Sequence, residues 1–245
     1  PKILFLENVR GLKHHDKGNT LKVILATLDE LGYGYSYNVL NAKYFGVPQN
    51  RERLFIIAWY KELVGVDGFR FPWGIAPDGK TIYDNEKLKE GTLPTKVSDI
   101  FEPSETMDSK FTISDRMWIG HQNRKERNKQ NGKGFRYSLF NANSPYTSTI
   151  SARYWKDGSE ILIDQSDKGL NPRILTPVEA GRLQGYRIIG NGWEHPECAD
   201  NQNYNITNPE FRIVVSKKEA YHQFGNSVAI PVFKRLSEEI VQQLM

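Results

Sequence analysis

The chain has 245 residues, 38% hydrophobic and 25% charged, with a formal net charge of +4. That length bounds it to one large domain or a large one plus a small one, with enough chain to bury a core without staples. No run approaches the roughly 18 apolar residues of a membrane span, no signal-peptide pattern opens the chain, and the single cysteine, Cys198, excludes an internal disulfide and a thiolate-rich metal site.

Cytoplasm is the expected setting, and the mild positive charge leans towards an acidic partner such as nucleic acid. Ile3-Leu4-Phe5-Leu6 is a continuous apolar run, the pattern of a buried parallel strand, and it ends at the polar pair Glu7-Asn8. A helix follows, with Asn19 or Thr20 as its cap. Leu21, Ile24, Leu25, Leu28 and Leu31 share one face, and Gly32 suits the end. Residues 35–41 and 54–59 read as the strands of a long hairpin. The segment between them, Gly46 to Arg53, is too polar and proline-broken for strand and has the look of a functional connection.

From about residue 61 to 94, Gly, Pro and Asp recur, which predicts a loop-rich connector. Residues 98–170 carry a basic stretch at 124–136, six Lys/Arg against one Glu, then short alternating runs at 146–154 and 161–163. These predict a second, smaller, mostly β unit. Thr176-Pro177-Val178-Glu179 reads as a capping box, with Pro at the first helical position and Gly185 ending the helix. A short helix around 217–223 leads into Gly225-Asn226-Ser227, and a last helix runs from about 228 to 244.

Several groups could carry chemistry. Glu7 sits at the carboxyl end of a strand, where open α/β sheets bind ligands; a salt-bridged or capping acid is the alternative. Gln49, Arg51 and Arg53 alternate, so they point to one side if the segment is extended. Arginines so placed suit a phosphate or a base edge, or form a solvated stripe. The 124–136 run, interleaved with Phe135 and Tyr137, is a nucleic-acid footprint or a solvated loop. Arg182 and Gln184 are open to a structural reading. Gly32-Tyr33-Gly34 and Gly132-Lys133-Gly134 lack the third glycine of a nucleotide loop. His14 and His15 cannot easily aim at one metal, and His195 with Cys198 lacks a second ligand pair, so no metal is expected. The acidic neighbours Glu194, Glu197 and Asp200 argue against Cys198 as a nucleophile.

Taken in order, four segments resemble the C-terminal motifs of the DNA cytosine-5 methyltransferases. They are Glu7-Asn8-Val9, Gln49-Asn50-Arg51-Glu52-Arg53, the stretch from Arg173 to Gly185, and Gln223-Phe224-Gly225-Asn226-Ser227-Val228. Residues 132–139 and 149–163 are similar to the target-recognition region of the bacterial enzymes acting on CC(A/T)GG, CCNGG or CCGG. The resemblance implies an incomplete doubly wound, Rossmann-like α/β sheet, residues 1–97 completed by 222–245. A second, smaller, mostly β target-recognition domain with its hinge would occupy 98–221.

The resemblance also implies an activity, methyl transfer from S-adenosylmethionine to C5 of a cytosine flipped out of double-stranded DNA, at a CC-containing palindrome. In the family a cysteine thiolate attacks C6 and makes C5 nucleophilic. Glu7 matches the carboxyl group that holds the cytosine N3 edge, and Asn8 would support that strand end. Arg53 matches the arginine at the cytosine O2, and Arg51 its neighbour at the nucleophile. Asn226 and Ser227 match residues on the cofactor side. Thr149 matches a threonine near the DNA backbone; Gln49, Arg124, Lys125, Arg127, Lys133, Arg136 and Arg153 are the other expected DNA contacts. The family's Phe-x-Gly-x-Gly cofactor loop and its Pro-Cys-Gln nucleophile segment have no counterpart in these residues. The chain is therefore expected to be inactive alone, needing the N-terminal methyltransferase portion or a second chain that carries the nucleophilic cysteine. A non-catalytic, sequence-specific DNA-binding module is the alternative.

Overall fold

A computed structural model describes residues 1–65, 67–103, 107–132, 134, 137–188 and 211–245. The chain divides into two compact units: Pro1–Gly46 with Asn50–Pro94 and Pro231–Met245, and Val47–Gln49 with Thr95–Ile230. The breaks in compactness thus fall near residues 46, 49, 94 and 230.

The first unit is built on three strands, β1 (Ile3–Val9), β2 (Tyr33–Asn41) and β3 (Glu52–Tyr60), in the order β1-β3-β2. Both pairings are antiparallel, with Glu7 opposite Phe55 and Val9 opposite Arg53 in one ladder and Leu40 opposite Arg53 in the other. The β2–β3 hairpin agrees with the sequence pattern. The parallel pairing and full burial expected for β1 do not hold: it pairs antiparallel with β3, and Leu6 keeps 37% of its surface exposed. Its apolar side chains meet a helix on each face. Helix α1 (Asn19–Glu30) packs Leu21 and Leu28 against Leu4, Leu54, Ile56 and Ala58. On the alternate positions, Phe5 stacks on Phe233 of α6 (Ile230–Leu244) at 4.7 Å.

The start of α1 differs from expectation. Gly18, with φ of 88°, occupies the cap position, and no side chain caps the helix. Thr20 Oγ1 instead meets His15 Nδ1 at 2.7 Å, and the Asn19 amide donates to Asp16. Gly32 closes the helix at φ of 82° as expected, but Leu31 is 60% exposed and off the apolar face. The rest of this unit comprises the short helix α2 (Lys61–Val64) and a small hairpin, β4 (Gly74–Ile75) with β5 (Thr81–Ile82), consistent with a loop-rich connector. Near it, Glu239 of α6 is buried and accepts hydrogen bonds from the Tyr83 hydroxyl and the Gln243 amide.

By length the second unit is not the smaller one, and among its described residues it is not mostly β. Its described strands, β6 (Leu139–Phe140), β7 (Leu162–Ile163) and β8 (Arg173–Ile174), have two residues each. Its helices are longer: α3 (Asp115–Gln130), α4 (Pro177–Leu183) and α5 (Lys217–Asn226). The alternating run at 146–154 forms no strand; its one bridge is Thr147 to Gln49. Ile150, Tyr154, Ile161, Leu175, Leu183, Tyr221 and Phe224 make the core, each apolar side chain contributing roughly 1.5–3 kcal/mol over exposure.

The predicted capping box is present. Thr176 Oγ1 accepts from the Glu179 amide at 3.1 Å, and the Glu179 carboxylate accepts from the Thr176 amide at 2.9 Å. Glu179 does more than cap. It takes both guanidinium arms of Arg173, at 2.6 and 2.9 Å, and the backbone N–H of Glu102 at 3.2 Å. Both partners of that ion pair are out of water, at 0% and 6% side-chain exposure. Two tyrosines complete this core. The Tyr154 hydroxyl donates to the Ile161 carbonyl and accepts from the Leu175 amide, while the Tyr221 hydroxyl donates to the Leu175 carbonyl.

Candidate active site and nucleic-acid interface

The strand register builds the first unit's site. Glu7 lies two residues before Val9, the ladder partner of Arg53, so Glu7 and Arg53 are diagonal neighbours on one face of the sheet. They meet there: Arg53 Nε stands 3.1 Å from Glu7 Oε1, with side chains 16% and 26% exposed. Arg53 Nη1 donates to the Glu52 carbonyl at 2.9 Å. Among the described residues Nη2 of Arg53 has no hydrogen-bond partner, so the guanidinium is held on two sides and open on the third.

Arg51 is deeper, at 2% exposure. Burial, then the neighbouring Arg53 charge, hold its guanidinium down to about 10, against the pull of Glu7. It stays a cation at neutral pH. Arg53 is also lowered, by burial first, and Glu7 opposes that. One carboxylate at a strand end thus faces two partly dehydrated cations. Such a cluster can hold a polar heterocyclic edge and stabilise charge that develops on it. Asn8 is exposed, and its amide oxygen accepts from the Val9 N–H at 2.8 Å, so it shapes the end of β1.

Gln49 is a correction. It was expected to contact DNA, but its side chain is fully buried in the second unit. Its amide donates to the Leu183 carbonyl at 2.9 Å and accepts from the Ile150 N–H at 3.1 Å. Those bonds fix the backbone of the segment that carries Thr149. Gln184 is equally buried and donates to the Phe224 carbonyl at 2.7 Å. Arg182 binds the Phe101 and Ile188 carbonyls. Both are structural.

In the second unit the basic run is helical, not loop, as far as Gln130. Ser114 caps α3 through its hydroxyl, and Arg127 and Lys129 sit in the last turn, where cations suit the helix dipole. Arg124 is half-exposed and pairs with Asp157 at 2.9 Å, beside buried His121, whose ring meets the Asp157 carbonyl. Burial pushes the His121 imidazole below its ordinary range. Lys125 lies 4.7 Å over the Tyr137 ring, and Arg127 and Arg153 are exposed. Thr149 is half-buried next to Ile150. Lys133, Phe135 and Arg136 lie outside the described residues, as do His195 and Cys198.

The Gly225-Asn226-Ser227 turn has a steric reason for its glycine. A Cβ at Gly225 would collide with the backbone of Ser151 and Ala152, so α5 ends in direct contact with the 151–152 segment. Asn226 is exposed with its amide near His222 Nε2, at 3.3 Å, and the Ser227 hydroxyl donates to the Phe224 carbonyl at 3.0 Å. These two side chains do not enclose a cofactor by themselves. Among the described residues, no group of three His, Cys, Asp or Glu could hold a metal, and no helix is long and apolar enough to cross a membrane.

The family model described as C-5 cytosine-specific DNA methylase matches residues 1–242. The chain belongs to that family. It is 47% identical over 245 residues to the type II methyltransferase M.SsoII of Shigella sonnei, all of this chain against 54% of that protein. It is 46% identical over 240 residues to M.NlaX of Neisseria lactamica, 98% of this chain against 63% of that protein. With M.HpaII of Haemophilus parainfluenzae it shares 32% over 259 residues, all of this chain against 61%. The chain thus spans roughly half to two thirds of these methyltransferases. Among solved structures, the Dnmt2 methyltransferase of S. pombe aligns with 99% of this chain and 65% of its own, with a TM-score of 0.65 at 16% identity. That supports a mixed α/β fold of the methyltransferase kind. The family is one that uses S-adenosylmethionine.

Proposed function

We propose that this chain supplies the base-holding and DNA-reading groups of a type II DNA cytosine-5 methyltransferase acting at a CC-containing palindrome. The observation that carries the reading is the Glu7–Arg53 pair at the end of β1, an acid and an arginine set on one face by the β1–β3 register and left with open hydrogen-bonding capacity.

A cytosine extruded from the duplex offers N3, the N4 amino group and O2 along one edge. Glu7 would accept from that edge and share a proton at N3, which stabilises the negative charge that develops in the ring when a thiolate adds to C6. Arg53 would hold O2 through Nη2 while its Nε keeps Glu7 in place. Arg51 adds a second, more deeply buried cation beside Arg53. Arg127, Lys125, Arg153 and Thr149 are the DNA contacts of this reading, with Lys133 and Arg136 as further candidates.

S-adenosylmethionine, when bound, supplies an electrophilic methyl group. Asn226 and Ser227 do not fit the whole of it: one amide and an occupied hydroxyl do not hold a nucleoside, and no Phe-x-Gly-x-Gly loop is present to add to them. The nucleophile is likewise assigned to polypeptide outside these 245 residues, since Cys198 is the one cysteine and no Pro-Cys-Gln segment occurs. The same reading has β1 flanked by further strands from that polypeptide.

The test is methyl transfer from labelled S-adenosylmethionine to duplexes carrying CC-containing palindromes. The chain is measured alone and then combined with a polypeptide bearing the Pro-Cys-Gln and Phe-x-Gly-x-Gly segments of the family. Transfer in the mixture and none with the chain alone is the expected result. Specific DNA binding with no transfer in any combination would leave a DNA-binding module instead.

A further inference from the structure

The second unit carries a strip of cations that none of the assigned groups uses. Lys110 Nζ lies 5.5 Å from the centre of the Phe111 ring, and Lys217 Nζ lies 4.4 Å from the same ring. The next residue, Lys218, places its Nζ 4.7 Å from the Trp155 ring, which Lys156 approaches at 5.5 Å. Three segments distant in sequence converge here: the turn at 108–111, the turn at 151–157 and the first turn of α5. Lys110, Lys156 and Lys218 are exposed, and Trp155 keeps 38% of its surface open.

Two features separate this strip from an ordinary solvated surface. First, each ammonium is placed against an aromatic face, which restrains side chains that otherwise lose considerable rotamer freedom on binding. Second, like charges are crowded. Burial and the neighbouring Lys110 hold the Lys217 ammonium below its ordinary range, and Asp108, paired with Lys110 at 2.7 Å, offsets only part of this. Glu219 follows Lys218 in the chain and lies 3.9 Å from the His222 ring. Restrained, crowded cations suit a polyanion with a repeating charge. The strip also continues into the proposed recognition segment, because Lys156 closes a turn onto the Arg153 carbonyl at 2.9 Å.

We propose that Lys110, Lys217, Lys218 and Lys156, set on Phe111 and Trp155, form a contact for the phosphate backbone of duplex DNA beside the recognised site. This rests on the DNA-modifying reading above and adds to it a sequence-independent anchor.

The experiment is the salt dependence of duplex binding by the whole chain, measured by fluorescence anisotropy on a CC-containing palindrome and on a scrambled duplex. The test variant carries Lys110→Gln, Lys156→Gln, Lys217→Gln and Lys218→Gln. A control with the same loss of charge carries Lys22→Gln, Lys80→Gln, Lys87→Gln and Lys89→Gln in the first unit. Each phosphate contact removed lowers the slope of log K against log salt by about 0.9, so the test variant is expected to lose roughly 2–4 of slope, equally on both duplexes. The control keeps the wild-type slope. Trp155→Ala retains every charge but releases two ammoniums, and is expected to weaken binding about two- to fivefold. A steep wild-type slope that the test variant leaves unchanged, or that the control lowers as much, overturns the anchor alone. A wild-type chain whose duplex binding is absent or indifferent to salt overturns the anchor and the DNA-binding reading together.

Discussion

Two of the Glu–Arg pairs among the described residues, one in each unit, differ in how completely they are satisfied. Glu179 and Arg173 are bidentate, out of water, and joined by two backbone N–H groups and the Thr176 cap. Glu7 and Arg53 touch through one nitrogen at 3.1 Å and stay partly exposed. The first pair has used its hydrogen-bonding capacity on its own unit, and the second has not. Residue types alone do not separate an acid that holds a fold together from one that can receive a ligand. The saturation of the pair does.

Breaking the saturated pair should have the largest effect on folding. Glu179→Ala leaves Arg173 buried without its partner and orphans two N–H groups, and is expected to cost about 3–5 kcal/mol in denaturant unfolding of the second unit. A loss of under about 1 kcal/mol would show that the pair is not the keystone described. Breaking the open pair should act on chemistry. Arg53→Lys keeps the charge but removes the planar fork that serves Glu7 and O2 together. In the reconstituted enzyme it is expected to lower methyl transfer roughly 10- to 100-fold, with a melting shift worth less than about 1 kcal/mol. An equal loss of stability would place Arg53 among the structural residues.

The smallest effect sharpens the comparison from inside the saturated network. Glu102 donates its backbone N–H to Glu179, and its carboxylate accepts from the Thr176 hydroxyl. Burial, with Glu179 adding to it, raises that carboxyl above its ordinary value of 4.5. A carboxyl raised in the fold destabilises it when ionised, and that penalty fades as pH falls through the raised value towards 4.5. Glu102→Gln removes the charge and keeps an acceptor. It is expected to raise the melting temperature slightly at pH 7, with the gain shrinking towards pH 4.5; a gain that grows on acidification would reverse the assignment.

Local signals in the sequence were legible residue by residue. The Thr176–Glu179 box and the glycine stops at Gly32 and Gly185 each depend on neighbours within a few positions, and each is present. The β2–β3 hairpin was readable from the two strand-like runs at 35–41 and 54–59. Non-local facts were not. The apolar run of β1 is the same whether its neighbour is parallel or antiparallel, and that register places Glu7 beside Arg53. Helix α3 was missed because it buries one residue, His121, and so shows no apolar period; its Ser114 cap and Asn131-Gly132 stop were the available signals. Gln49 looked like a DNA contact in an alternating polar stretch, yet its partners, Ile150 and Leu183, lie more than a hundred positions away.

The open pair is the centre of the account, and Glu7→Gln tests it most directly. The variant removes the charge and preserves the shape, in the chain combined with a polypeptide bearing the Pro-Cys-Gln and Phe-x-Gly-x-Gly segments. Methyl transfer and thermal melting are read on the same preparation. The account predicts a loss of transfer of roughly 100- to 1,000-fold, with duplex binding retained and stability within about 1 kcal/mol of wild type. Transfer at the wild-type rate would contradict it and return Glu7 to the role of a salt-bridged acid at a strand end.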